Sequence, residues 1–227
     1  MTDASFLPSL PVMLAFGAAS LVLALTPGPA VLFVVARTLA QGRRAGLASV
    51  AGVALGNFGN ALGASLGLAA LFAISSLAFM LVKWAGAAYL VWLGVKALRR
   101  PRDDAADGQG AGGAGQPMRA VRPARLFRDG FVVALLNPKT ALFFAAFLPQ
   151  FIRPDASPAL QSMGFGAAFV AIAACTDCLY VLAASRLRPF FSALRGGAAW
   201  GRWVTGGTFI GLGVYTALSG SRAQAAR

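Results

Sequence analysis

The sequence lacks histidine and glutamate altogether, and it holds only two cysteines among 227 residues. Without histidine, the common zinc sites lose their usual nitrogen ligand, and the Ser/His and Cys/His catalytic sets lose their base. Two cysteines are too few for a disulfide framework. These absences predict a protein that is not an enzyme and that carries no metal or other cofactor.

Charge is also scarce, because charged residues make up 12% of the chain, about half the share of roughly 25% in soluble proteins. Hydrophobic residues make up 58%, and the mean hydropathy is +0.70. A soluble domain could not bury that much apolar surface, and disordered chains are poor in hydrophobic residues. The composition therefore predicts an integral membrane protein, with the lipid bilayer as its surroundings.

The net charge of +13 raises the alternative of nucleic-acid binding. No DNA-binding or RNA-binding motif accompanies the charge, and the basic residues lie in short stretches between apolar runs. Membrane topology explains that distribution better, so no nucleic-acid partner is predicted.

Six apolar runs approach the roughly 20 residues that a membrane-crossing helix needs. The chain has no basic segment before its first, long apolar run, so this run is predicted to be a mature span rather than a signal peptide. The predicted spans cover about Leu10–Ala36, Gly46–Ile74, Leu77–Leu98, Gly130–Ile152, Met163–Ser185 and Trp203–Ser219.

The arginines predict the orientation of these spans, because Lys and Arg prefer the cytoplasmic side. Fourteen arginines, Arg37 among them, fall in the three segments that would be cytoplasmic, against three on the opposite side. Both termini are therefore predicted to lie outside the cytoplasm. The longest basic segment, residues 99–128, contains the low-complexity stretch Gly108–Gly115 and is predicted to be a flexible linker between two three-span halves, 1–98 and 129–227.

The two halves show traces of a duplication. When Pro27 is placed against Pro138, Ala30 meets Ala141 and Phe33 meets Phe144. Because a half with three spans begins and ends on opposite sides of the membrane, the second half would be inverted relative to the first, a common transporter plan. The predicted fold is an all-α bundle of six transmembrane helices, arranged as two inverted three-helix repeats with broken helices one and four.

The first span of each half contains a predicted helix break. Proline has no amide hydrogen and clashes with the preceding turn, so a regular helix cannot pass through it. Carbonyl groups freed by a break must be buried in protein or line a wet cavity, where a substrate ammonium could use them. The alternatives are a simple proline kink and, for the lysine, a side chain that snorkels to the interface instead of attracting a carboxylate. The breaks are Pro27-Gly28-Pro29 and Asn137-Pro138-Lys139.

Polar residues inside the other spans are further candidates for the site. Asp177 is the only acidic residue well inside a predicted span. It could exchange a proton against a substrate's amino group, or it could form a structural pair with Lys139. Asn57 and Asn60 in the second span either line a cavity or form hydrogen bonds between helices, and the glycines around them are predicted to serve close packing.

Several motifs follow one another along the chain, namely Thr26-Pro27-Gly28-Pro29, Gly42-Arg43-Arg44-Ala45-Gly46-Leu47, Trp84-Ala85-Gly86-Ala87-Ala88-Tyr89-Leu90 and Asn137-Pro138-Lys139. In this order they resemble the LysE/RhtB amino-acid exporter (translocator) family, over about residues 10–219. The resemblance implies an inner-membrane exporter of amino acids or related metabolites, driven by proton antiport and often dimeric. It also implies that both proline motifs and Asp177 are positions to test.

The sequence thus predicts a secondary transporter that exports amino acids from the cytoplasm. It has no G-x-x-x-x-G-K-[ST] phosphate loop, so ATP is not predicted to drive it. The alternative is a transmembrane thiol–disulfide carrier that uses Cys175 and Cys178, which form a C-x-x-C pattern. The predicted substrate-binding and coupling residues are Pro27, Gly28, Pro29, Asn57, Asn60, Asn137, Pro138, Lys139 and Asp177.

Overall fold

The computed structural model describes residues 8–65, 76–99, 122–153, 157–193 and 197–218. Within these ranges, every regular element is helical. In chain order the elements are α1 (Leu10–Leu25), α2 (Pro29–Gln41), α3 (Arg43–Ser65), α4 (Ser76–Leu98), α5 (Pro123–Leu135), α6 (Pro138–Ala146), a short 3-10 helix (Leu148–Phe151), α7 (Pro158–Ala193) and α8 (Gly197–Leu218).

The described part of the chain contains three helices that are long and apolar enough to cross a membrane, namely α3, α4 and α7. Two bent pairs pass the same test as broken spans. The first pair, α1 with α2, bends by 50°, and the second, α5 with α6 and the 3-10 helix, bends by 46°. The breaks therefore fall at the two predicted proline motifs.

The sixth predicted run forms α8, a helix of 22 residues. Of the described residues, only the five stretches above meet the length and hydropathy test. A sixth span therefore stays a prediction. The end of the second predicted run, residues 66–74, lies outside the described residues.

The helices pack across the two halves of the chain. The first pair, α1 and α2, lies against α7, whereas α5 lies against α3 and α4 lies along α8. Glycines allow the closest of these approaches, because a side chain at Gly52 or Gly56 would collide with the backbone of α5 at Phe127 or Phe131. These second-span glycines therefore serve packing, as predicted from their spacing.

The apolar core joins the halves as well. In one cluster, Phe33 of α2 stacks on Phe209 of α8 with ring centroids 5.2 Å apart. In the other, Phe16 of α1 contacts Phe143 of α6 and Phe165 of α7. Each of these contacts links an element of residues 1–98 to an element of residues 129–227, so the two predicted halves share one core.

The helix that contains the start of the fourth predicted span is longer than that span. Helix α5 begins at Pro123 rather than at Gly130, so the last part of the predicted 99–128 linker is helical. Proline suits the first position of a helix, where its missing amide hydrogen loses no bond. The shift places Asp129 inside a helix, and Arg37, predicted to lie in a cytoplasmic loop, is likewise buried within α2. Residues 100–121 of the linker lie outside the described residues.

Candidate functional site

The first break leaves two carbonyl groups without their helical donors. In a continuous helix, the amide hydrogen of each residue bonds to the carbonyl oxygen four residues earlier. Proline has no such hydrogen, so Pro27 cannot donate to the carbonyl oxygen of Leu23, and Pro29 cannot donate to that of Leu25. A carbonyl group left bare inside a membrane protein would cost several kcal/mol, and this predicts that other donors reach it.

Those donors come from the second half of the chain. The ammonium group of Lys139, in α6, donates to the carbonyl oxygen of Leu23 at 2.7 Å and also to that of Thr26. The hydroxyl group of Tyr180, in α7, donates to the carbonyl oxygen of Leu25 at 2.8 Å. The two carbonyl groups released by the prolines are thus both bonded, one by Lys139 and the other by Tyr180.

The second break is satisfied from the first half. Pro138 cannot serve the carbonyl oxygen of Ala134, and the side-chain amide of Asn60, in α3, donates to that oxygen at 2.9 Å. The Oδ1 atom of Asn137 accepts a hydrogen bond of 3.1 Å from the backbone N–H of Lys139 and so caps the N-terminus of α6. Of the two readings left open for Asn60, the hydrogen bond between helices is the one that the structure shows.

A cavity lies where the two breaks meet. Its volume is about 40 Å³, room for about three water molecules at the 10–15 Å³ that each needs. The walls come from α1, the first turn of α2, α3, the second break and α7. The lining residues are Leu23, Ala24, Gly28, Ala30, Val31, Asn57, Asn137, Lys139, Thr140, Phe169, Ala173, Thr176 and Asp177.

Three polar side chains define the character of this cavity. Lys139 brings a positive charge that two carbonyl groups already bind. Asp177, 4% exposed, lines the same cavity but makes no direct ion pair with Lys139, so the structural pair considered for these two residues is not formed. Asn57 is 5% exposed, and its Oδ1 atom has no hydrogen-bond partner in the described part of the chain.

The predicted site residues therefore divide into two groups. Gly28, Asn57, Asn137, Lys139 and Asp177 come together around the cavity. The other predicted residues do not line the cavity. Pro27, Pro29 and Pro138 lie at the helix breaks, and Asn60 donates a hydrogen bond to one of the freed carbonyl groups.

The structure contains a buried ionic network that the sequence analysis did not predict. Arg37 of α2 forms an ion pair of 3.2 Å with Asp129 of α5, and the hydroxyl group of Tyr89 of α4 donates to Asp129 at 3.3 Å. The guanidinium group of Arg37 also lies over the rings of Phe33 and Phe209, 5.4 and 5.1 Å from their centroids. The network ties three helices together about 9 Å further along α2 than the cavity-lining Val31.

Two features of the sequence could have indicated Asp129 and Tyr180, which the sequence analysis did not include in the site. Asp129 follows a basic and apolar stretch, Arg125 to Arg128, that continues the helix pattern beyond the apolar run, but hydropathy alone excluded it. Tyr180 lies three residues after Asp177 on one helix and is the kind of donor that a proline-freed carbonyl group requires. Which carbonyl group it reaches is a tertiary property.

The cysteines lie apart from the cavity lining. Cys175 is exposed and Cys178 is half-buried, and neither forms a disulfide. Nothing in the described residues places an exchange partner beside them. The structure therefore gives the thiol–disulfide alternative no support.

With the breaks and the cavity established, comparison with known sequences decides the family. The pattern of the LysE type translocator matches residues 21–220, nearly the whole chain. The chain belongs to the LysE type translocator family. Members of this family are transporters rather than enzymes, and the match confirms the resemblance carried by the motifs.

Named relatives of this LysE-type protein are efflux proteins. It is 34% identical to a homoserine/homoserine lactone efflux protein of Salmonella typhimurium over 153 residues, 67% of this chain and 70% of the relative. It is 29% identical to a leucine efflux protein of Klebsiella pneumoniae over 192 residues, 82% of this chain and 85% of the relative. An uncharacterized membrane protein of Vibrio cholerae is 33% identical over 182 residues. No solved structure matches the chain.

Proposed function

We propose that this protein is a secondary transporter that exports amino acids or related small metabolites from the cytoplasm by proton antiport. The observation that carries the proposal is the cavity between two broken helices, which holds Asp177, Lys139 and Asn57. Polar and ionisable groups buried inside a membrane protein are costly and mark substrate or proton pathways. The relatives named for homoserine and leucine efflux suggest neutral amino acids as substrates.

The packing supports two inverted repeats of three spans. In each half the broken element lies against the second span of the other half, α1 and α2 on α7 and α5 on α3, while the third elements α4 and α8 pair with each other. Two halves related by a two-fold axis in the membrane plane would pack against each other in this reciprocal way. In transporters of this plan, one half rocks against the other and opens the central site to each side in turn.

Asp177 is the proposed coupling residue. Its carboxyl group lies in the cavity without a direct ion pair, so a proton and a substrate ammonium can compete for it. The cavity reorients only when the carboxyl group is neutralised, either by a proton or by the substrate ammonium. Each cycle therefore moves one proton inward and one amino acid outward. The ammonium group of Lys139 donates to the carbonyl oxygens of Leu23 and Thr26 rather than to this carboxyl group.

The proton gradient supplies enough energy for such export. One charge moving through 100 mV provides about 2.3 kcal/mol, which sustains a concentration ratio of about 50-fold for a neutral zwitterion. No nucleotide hydrolysis is needed to reach that ratio.

The arginine distribution supports the orientation. Most basic residues flank the ends of α2, α5 and α7. This supports an orientation with these ends and the 99–128 linker in the cytoplasm of a bacterial cell, and with both termini on the other side of the inner (plasma) membrane. The homodimer implied by the family resemblance stays a prediction.

The proposal is tested with the full-length protein in proteoliposomes loaded with radiolabelled leucine or homoserine. We expect export to accelerate when the outside is made acidic relative to the lumen and to proceed against an amino-acid gradient. Equal rates with and without the pH gradient would remove proton antiport from the proposal. No export of either amino acid above protein-free liposomes would remove these substrates.

A further inference from the structure

We propose that the cavity recognises the two charged ends of an α-amino acid with separate elements. The Oδ1 atom of Asn57 accepts from the substrate ammonium, and the open N-terminus of α2, at Gly28 to Val31, binds the carboxylate. This inference rests on the proposed export of amino acids and identifies the groups that bind the two charged ends of the substrate.

The freed carbonyl oxygens at the breaks are not the ammonium site. The oxygens of Leu23 and Thr26 accept from Lys139, and that of Leu25 accepts from Tyr180. A substrate ammonium would have to displace Lys139 or Tyr180 from these oxygens. The ammonium must therefore find its acceptors elsewhere in the cavity.

Asn57 provides such an acceptor. Its Oδ1 atom is buried and has no partner within the described ranges, which is unusual for a buried polar atom and points to a ligand that completes it. Asn60, three residues later on the same helix, shows the contrast, because its side-chain amide donates to the carbonyl oxygen of Ala134 at the second break. The carboxyl group of Asp177 lies in the same cavity, so an ammonium bound to Asn57 can also meet the coupling residue.

The N-terminus of α2 provides the opposite pole. The first amide groups of a helix have no partner within it and carry the positive end of the helix dipole, so they bind anions. The helix has 13 residues, and its N-cap, Gly28, has no side chain to bond these amides. Three residues of this first turn, Gly28, Ala30 and Val31, line the cavity. The equivalent turn of α6 is closed by Asn137.

Lys139 strengthens this pole. A Cβ atom at Gly28 would lie 3.1 Å from the Cδ atom of Lys139, so the lysine stem runs beside the N-cap. The ammonium group at the end of that stem adds positive potential near the α2 amides. The apolar part of the wall, from Leu23, Phe169 and Ala173, is left for the substrate side chain. Because the cavity is only about 40 Å³, it must widen before an amino acid fits.

The ammonium pole is tested by competition against radiolabelled leucine on the purified full-length protein. The competitors are leucine, leucinamide, which keeps the ammonium but lacks the carboxylate, and 4-methylpentanoate, which lacks the ammonium. For Asn57→Leu we expect leucine and leucinamide to bind about tenfold more weakly or worse. The matched control is Ser49→Ala on the same helix, a buried residue whose hydroxyl bonds only the carbonyl of Ala45.

Unchanged affinities in Asn57→Leu would overturn the assignment of Asn57. If that variant fails to fold, Asn57→Asp keeps the size and an acceptor oxygen, and it is expected to bind leucinamide at least as tightly as the natural protein does. Weaker leucinamide binding by Asn57→Asp would overturn the assignment as well.

The carboxylate pole is tested with the pair Gly28→Ser and Gly28→Ala, which differ by one oxygen. Both add the same Cβ atom beside Lys139, but only serine caps the α2 amides. We expect Gly28→Ser to raise the melting temperature relative to Gly28→Ala and to weaken leucine binding several-fold, with leucinamide binding equal in the two. Equal leucine affinities would overturn the carboxylate pole.

These outcomes are distinct from failure of the proposed function. If the natural protein binds neither leucine nor homoserine, amino-acid export itself is contradicted for these substrates. If it binds them and the variants behave alike, only the assignment of the two poles is wrong.

Discussion

The two helix breaks differ in how their loose ends are satisfied. At the second break the N-terminus of α6 is capped by Asn137, and the freed carbonyl oxygen of Ala134 accepts from Asn60. At the first break the freed carbonyl oxygens are bonded, but the N-terminus of α2 begins at Gly28 without a side-chain cap. The N-terminus of α6 is therefore capped by a residue of its own segment, whereas the N-terminus of α2 has no side-chain cap.

The donors for each break come from the opposite half of the chain. Lys139 and Tyr180 serve the first break, and Asn60 serves the second. A motion of one half against the other would move these donors relative to the carbonyl groups. The breaks are thus places where helix geometry and the packing of the halves are coupled.

The largest effect is expected at the residue between the breaks, in the variant Asp177→Asn. The amide cannot exchange a proton, so uphill export should fall to the level of protein-free liposomes while the protein still folds and inserts. Exchange of labelled for unlabelled amino acid, which needs no proton, should persist. Uphill export at the natural rate would remove Asp177 from the mechanism.

The next effect is expected for Pro138→Ala, which gives position 138 an amide hydrogen that can bond the carbonyl oxygen of Ala134. The helix can then straighten through the second break, and transport should fall strongly with a modest change in expression. Pro123→Ala, at the exposed start of α5, is the control proline. Unchanged transport kinetics in Pro138→Ala would mean that the bend is not needed.

A third prediction compares the loss of stability in Lys139→Met, which removes a donor at the first break, with that in Asn60→Leu, which removes the side-chain donor at the second. The first removes the charged donor of the Leu23 and Thr26 carbonyl groups. The Leu23 oxygen keeps the backbone N–H of Thr26 at 3.2 Å, so the main cost, about 1–3 kcal/mol, is expected at the Thr26 oxygen. The second should cost about 1 kcal/mol, because the Ala134 oxygen keeps the backbone N–H of Asn137 at 3.1 Å. Thermal unfolding in detergent measures both. A larger loss for Asn60→Leu would reverse the proposed difference between the breaks.

Tyr180→Phe is expected to have a smaller effect, because it removes one hydroxyl and its hydrogen bond to the carbonyl oxygen of Leu25 without changing the ring. We expect a loss of about 1 kcal/mol of stability, and a modest loss of transport. Leu179→Ala, an exposed neighbour, provides a comparison for the effect of altering the same helix. No change in the melting temperature would show that the first break does not depend on this donor.

The smallest effect is expected for the double variant Cys175→Ala and Cys178→Ala, since neither residue is among those that line the cavity. Export rates in proteoliposomes should stay close to those of the natural protein. Loss of export in the double variant would return the cysteines to the mechanism.

Much of the site could be predicted from the sequence because proline acts locally. Pro27, Pro29 and Pro138 lack the amide hydrogen whatever surrounds them, so the positions of both breaks follow from the chain alone. Asp177 and Lys139 stood out because charge within an apolar run is costly. Arg37 and Asp129 were missed, because each lies just beyond an apolar run and its burial depends on the partner that neutralises it.

The sequence by itself determined that the chain is a membrane protein, where its helices break and which family it resembles, since these depend on composition, on backbone chemistry and on motif order. Only the tertiary structure decided which donor meets which freed carbonyl group. It also decided that Asn60 donates to one of them, while the Oδ1 atom of the cavity-lining Asn57 has no partner among the described residues. Both asparagines lie on one helix three residues apart. Their different roles come from the elements of the other half packed against them, which no local pattern records.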